Sequence, residues 1–156
     1  MLCSIYKKSK NMYNIYTDGS YKSSTNRGGY ATIILNNDKI ESILHFGYTN
    51  TTNNRMELMG VLSALKYFSN PTDMTIYSDS AYIINNLKNG FVKSWIESND
   101  SEKKNMDIWR EIVKLYEFHN VNLVWVKGHN NNKYNELADL YANISAVVLN
   151  PEKDEI

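Results

Sequence analysis

The chain has 156 residues, 42% of them hydrophobic and 22% charged, enough for one domain with a real core and too few for a second independent one. No apolar run approaches the roughly 18 residues that a membrane span needs, the single cysteine, Cys3, leaves no disulfide within a monomer, and the start MLCSIYKKSKN lacks the apolar core of a secretory signal, so the expected place is inside the cell. Seventeen basic residues balance seventeen acidic ones, which argues mildly against a nucleic-acid binder unless its cations gather on one face.

Residues 13–18, YNIYTD, alternate and are rich in aromatic and β-branched types, predicting a strand that ends at the polar turn Asp18-Gly19-Ser20. GGYATIILNN and KIESILHFGYT follow as two more strands joined at Asn36-Asn37-Asp38, so the first three strands form an antiparallel meander. From Asn54 to Phe68 the apolar residues recur at helical spacing, and Asn70-Pro71 closes the element. MTIYSD at 74–79 is a fourth strand that runs directly into a helix from Ser80 to Leu87. Residues 91–118 read as two helical pieces broken by NDSEKKN, VNLVWVK at 121–127 is the fifth strand, and the loop GHNNNKYN leads to a last helix, ELADLYANISAVVL. The expected architecture is an α/β domain with one mixed five-stranded sheet, three strands antiparallel and two parallel, and helices on both faces. Its expected bounds are 13–149, with 1–12 as an N-terminal extension and 150–156 as a charged tail.

Asp18 and Asp79 each close a strand. If strands 1 and 4 are parallel neighbours, both carboxylates meet at the crevice where open sheets bind ligands. Glu57 reaches the same end if its helix crosses strand 1, and Asp139 in the last helix completes an all-oxygen set suited to Mg²⁺ or Mn²⁺. Gathered carboxylates need a cation to neutralise them. Taken singly, each acid has an ordinary explanation: a turn residue, a first-turn helix acid, a helix cap, a solvated surface charge. His129, in a loop rich in Gly and Asn, is by itself equally ordinary.

The wording around these residues changes the reading. YTDGS at 16–20, GGYA at 28–31, TNNRMEL at 52–58, SDS at 78–80, VKGH at 126–129 and NELAD at 135–139 together resemble type 1 ribonuclease H, across roughly residues 13–143. The resemblance implies a ribonuclease H-like fold and an endonuclease that cuts the RNA strand of RNA/DNA hybrids, leaving 5′-phosphate and 3′-hydroxyl ends. It implies that Asp18, Glu57, Asp79 and Asp139 bind metal, two Mg²⁺ ions about 4 Å apart with Mn²⁺ as a substitute, and that His129 assists proton transfer or product release. It further implies nucleic-acid contacts at Gly19, Ser20, Ser24, Thr52, Asn53, Asn54, Trp95 and Asn105, with the sugar 2′-hydroxyl rather than sequence deciding the substrate. The chain begins just before strand 1 and ends soon after the last helix, so a free-standing enzyme is expected, a monomer with the hybrid as its partner.

Three departures bear on affinity. The segment LKNGFVKSWIESNDSEKKN replaces the longer basic handle of many relatives and includes Glu97, Asp100 and Glu102, so hybrid binding is expected to be weaker. Ser24 stands where many relatives have an RNA-contacting Asn, and Ala81 replaces a common Gln. Competing readings are a hybrid-binding module without activity, a strand-transfer enzyme or resolvase of the same superfamily, and the detached ribonuclease domain of a reverse transcriptase.

Overall fold

A computed structural model describes residues 11–100, 102–128, 131–147 and 151–154 of the chain. Among these residues the strands β1 (Tyr13–Lys22), β2 (Arg27–Asn36), β3 (Lys39–Thr49), β4 (Asp73–Ser78), β5 (Asn120–Trp125) and β6 (Glu152–Lys153) form one sheet in the order β5-β4-β1-β2-β3-β6. Five helices accompany it: α1 (Asn53–Lys66), α2 (Ala81–Lys88), α3 (Phe91–Glu97), α4 (Met106–Phe118) and α5 (Lys133–Ser145). The meander β1-β2-β3 is antiparallel, β1 pairs with β4 and β4 with β5 in parallel, and β6 adds a parallel edge to β3. Asn37 and Asp38 both adopt the left-handed backbone that a two-residue hairpin loop requires.

Two expectations are corrected. The sheet has six strands rather than five, because the Glu152–Lys153 segment pairs with Tyr48 and Thr49 of β3. A strand of two residues carries no alternation to detect. The first strand also does not end at Asp18: its pairing with β2 continues through Asp18↔Ala31 to Lys22↔Arg27, and the true turn is residues 23–26. Gly19 is therefore not a turn glycine. A Cβ there would lie 2.5 Å from the Glu57 backbone nitrogen, so the missing side chain lets α1 lie directly on the strand.

Alternation along β1 divides the core. Ile15 faces the larger core, built with Leu58, Val61 and Leu65 of α1 and Ile108, Trp109 and Ile112 of α4. Tyr16 faces the opposite layer with Ile33, Leu35 and Ala138 of α5, where its ring stacks on Tyr77 at 4.5 Å. Helices thus cover both faces of the sheet. The helix starts follow local chemistry: Thr52 Oγ1 accepts the Arg55 N–H, Ser80 Oγ accepts the Ile83 N–H, and Asn132 Oδ1 accepts the Tyr134 and Asn135 N–H groups. The Asn132 cap starts α5 three residues before the expected Glu136.

The layer under α5 is thin. A Cβ on Gly29 would lie 2.6 Å from the Ala142 oxygen and from the Ala146 nitrogen. Backbone cannot yield as a side chain can, so Gly29→Ala is expected to lower unfolding stability by about 1–3 kcal/mol, read from a denaturant titration.

Candidate active site

β1 loses its β4 neighbour after Tyr16↔Tyr77 but keeps β2 as far as Lys22. Asp18 projects where that gap opens. Asp79 follows the last residue of β4, and α1, seated on Gly19, brings Glu57 over the same spot. One carboxylate oxygen from each of Asp18, Glu57 and Asp79 lies within 4.8 Å of the other two. Asp139, on the inner side of α5, stands outside this trio, with its carboxyl within hydrogen-bonding reach of Asp18.

The acids are poorly hydrated. Asp18 and Glu57 are each only 6% exposed, and Glu57 Oε2 is buried with no hydrogen-bond partner among the described residues. Burial, the charge of Asp79 and the Asp139 carboxyl push Asp18 up from 3.8 to about 8, although the Gly19 N–H donated to its Oδ1 at 2.8 Å works the other way. Burial and the charges of Asp18 and Asp79 hold Glu57 well above the ordinary carboxylate range. Such a set favours protons or a cation over bare ionised oxygens, and its all-oxygen character suits a hard divalent ion.

The lineage follows from a match over most of the chain: the family model described as RNase H matches residues 10–146. The chain belongs to the ribonuclease H family. It is 39% identical to ribonuclease HI of Synechocystis sp. over 146 residues, spanning 90% of this chain and 91% of the relative. It is also 39% identical to ribonuclease HI of Helicobacter pylori over 132 residues, 85% of this chain and 91% of the relative. Among solved structures, LC9-RNase H1, described as a type 1 RNase H with the type 2 active-site motif, superposes with a TM-score of 0.74 at 24% identity, covering 88% of this chain and 73% of that one. The foamy viral protease-reverse transcriptase in complex with RNA/DNA hybrid gives 0.75 at 20% identity, over 88% of this chain and 20% of that one. At these identities the two structures establish a shared fold.

The ribonuclease H chain brings Asp18, Glu57 and Asp79 together with Asp139 beside Asp18, while His129 lies outside the described residues. Gly19 and the buried Ser20 continue β1 beyond Asp18, and Ser24 is exposed in the following turn. That turn is tied to the segment before α1, since the Asn50 N–H donates to the Asn26 oxygen at 2.9 Å, so Ser24 and the α1 start share one rim. Thr52 caps α1, and the exposed Asn53 and Asn54 form its first turn. Asn105 opens α4 close by, its Oδ1 accepting from Arg55 Nη1 at 3.3 Å. Trp95 is apart from this rim, half-buried against the larger core with Lys103 Nζ 4.8 Å from its ring centre.

Sequence reasoning missed the residues that hold Asp79 and α1. Trp125, at the end of β5, donates its indole N–H to the Asp79 carbonyl at 3.2 Å, and a Cβ on Gly128 would lie 3.1 Å from Asp79 Oδ2. Both lie in or beside the VKGH motif, which was the available signal. Arg55 is 3% exposed and donates from Nε to Asp154 Oδ2 at 2.8 Å and from Nη2 to Asp107 Oδ2 at 2.8 Å. Thr51 Oγ1 adds a 2.8 Å bond to Asp154. This ion cluster fastens β6 and the start of α4 to the helix that carries Glu57.

Proposed function

We propose that the chain is a ribonuclease H that hydrolyses the RNA strand of RNA/DNA hybrids, leaving 5′-phosphate and 3′-hydroxyl ends. The observation that carries this reading is the convergence of Asp18, Glu57 and Asp79, with a buried Glu57 oxygen that finds no hydrogen-bond partner among the described residues. Asp18, Glu57, Asp79 and Asp139 would hold Mg²⁺, or Mn²⁺ in its place, two ions in the working complex. Bound there, the ions supply an activated water and electrostatic stabilisation of the departing 3′ oxygen.

The chain's own contribution is to fix the acids before substrate arrives. β1 and β4 hold Asp18 and Asp79 on a rigid sheet, Trp125 and Gly128 confine Asp79, and the Gly19 contact sets the height of Glu57. Little reorganisation is then left for the reaction itself. His129 follows Gly128, whose backbone already lies against Asp79; in this reading its imidazole carries a proton to the leaving oxygen or helps release product. Ser20, Ser24 and Thr52-Asn53-Asn54 form the rim that takes the hybrid's minor groove and, with Asn105, a DNA-strand phosphate. In this reading the protein works as a monomer; among the described residues no helix is long and apolar enough to cross a membrane.

The deciding experiment offers end-labelled RNA/DNA hybrid, RNA duplex, DNA duplex and single strands to the protein in Mg²⁺, in Mn²⁺ and in EDTA. Metal-dependent cutting confined to the RNA of the hybrid is the expected result. Hybrid bound but left intact in both metals would replace this reading with a binding module, and cutting of DNA would point to a strand-transfer enzyme or resolvase.

A further inference from the structure

Four gathered carboxylates repel the phosphates of any nucleic acid laid across them, and a chain of zero net charge offers no general attraction. The chain's individual cations therefore matter, and several are already engaged. Arg55, two residues from Glu57, is held by Asp154 and Asp107, Lys66 faces Glu111, and Lys93 faces Glu117.

Lys22 is placed differently. It ends β1 and, by the two-residue period of a strand, shares the face of Asp18 and Ser20. It is exposed, and its Nζ donates to Asn143 Oδ1 at 3.1 Å, a neutral acceptor rather than a carboxylate. Asn143 lies one turn beyond Asp139 on α5 and donates from Nδ2 to the Asp139 carbonyl at 2.9 Å. The same Oδ1 accepts the hydroxyl of the buried Ser20 at 2.7 Å. The amide is thus held at both ends, and it leaves the ammonium two of its three donors for a ligand. Arg27 stands directly opposite Lys22 on β2. Two cations facing each other across a ladder are unfavourable unless an anion joins them.

Resting on the ribonuclease reading above, we infer that Lys22, positioned by Asn143, contacts a backbone phosphate of the RNA strand near the cut. A strand rises about 3.3 Å per residue, which puts Lys22 about 13 Å from Asp18 along β1. The contacted phosphate is therefore not the scissile one but another a short way along the same RNA strand. This contact offsets part of what the shortened, less basic handle lacks.

The test uses the full chain and hybrids in which a single neutral methylphosphonate linkage is moved along the RNA. Lys22→Ala is expected to raise KM about tenfold with little change in kcat, and to lower the dependence of log(1/KM) on log salt by about one. At one linkage position the neutral group should weaken wild-type binding about tenfold and leave Lys22→Ala unaffected, while Lys22→Arg keeps the wild-type pattern. Asn143→Ala should lose part of the same affinity. If wild type cuts hybrid and Lys22→Ala matches it in salt slope and linkage map, this contact is overturned and the activity stands. The contact is also overturned if Lys22→Arg falls as far as Lys22→Ala, since charge is then not what matters. If wild type cuts no hybrid, the ribonuclease reading itself has failed.

Discussion

Asp18→Asn is expected to lower hybrid cleavage by about a thousandfold or more while making the metal-free protein harder to unfold. On the proposed function the first effect follows from removing an oxygen that would hold metal, together with its charge, since a loss of several kcal/mol in transition-state stabilisation is worth about three powers of ten. The second follows from the repulsion among Asp18, Glu57 and Asp79, which burial strengthens. Each kcal/mol relieved should raise Tm by about 2–4 °C in a domain of this size. An ordinary destabilising mutation lowers both activity and Tm, so the opposite signs identify a site strained for function.

The pH dependence has a definite sign. Asp18 titrates near 3.8 when unfolded and at about 8 in the metal-free fold, so the native state holds its proton more tightly than the unfolded chain. This group's stabilising contribution is therefore complete below about pH 4 and is lost as the pH rises towards about 8. On the proposed function Mg²⁺ would bind the ionised form, and should restore stability at the upper end of that window. Thermal scans of wild type at about pH 5 and about pH 8, with Mg²⁺ or EDTA, check this: a large Mg²⁺ shift is expected only at the higher pH and should shrink in Asp18→Asn. A Mg²⁺ shift of equal size at both pH values would show that proton and metal do not compete for these oxygens.

Arg55→Ala is expected to cost about 3–5 kcal/mol of unfolding stability, because it leaves the Asp154 carboxylate, 4% exposed, buried beside Thr51 without its cation. Lys at this position should rescue little. The guanidinium makes two bonds to Asp154 and two to Asp107, at 2.8 to 3.1 Å, and an ammonium cannot reproduce that fork. Replacing Arg55 and Asp154 together by apolar residues should recover part of the loss, since no unpaired charge then stays buried. Denaturant titrations of the single and double variants measure the coupling. Equal losses in the single and double variants would mean that the side-chain volume, not the ion pair, holds the segment. Metal affinity should weaken alongside, because α1 carries Glu57 only two residues from Arg55.

Much of this molecule follows from local patterns. The alternation of YNIYTD and GGYATIILNN, the helical spacing after Asn54, and the Asn37-Asp38 turn each act over a few residues. They place the meander, α1 and the hairpin without knowledge of the rest. The four acids were legible for another reason: each sits in a short motif whose wording resembles ribonuclease H, and the parallel β1–β4 pair brings Asp18 and Asp79 together.

What the tertiary structure alone decided comes from partners distant in sequence. Arg55 and Asp154 are 99 residues apart, and nothing near either one marks it as buried, so the sixth strand they secure was unreadable. The DGS segment looked like a turn because Asp, Gly and Ser favour turns; only α1, pressing on Gly19, shows that the glycine is there for space and that the strand runs on to Lys22. Asn143 likewise gains its meaning from Ser20 and Lys22 on β1, across more than 120 positions. Sequence by itself determined the first five strands and the helices and pointed to the acids of the site, since those depend on local periodicity and motif. Packing decided how tightly the acids are held and which cations remain for substrate, because burial and ion pairing exist only once the distant segments have met.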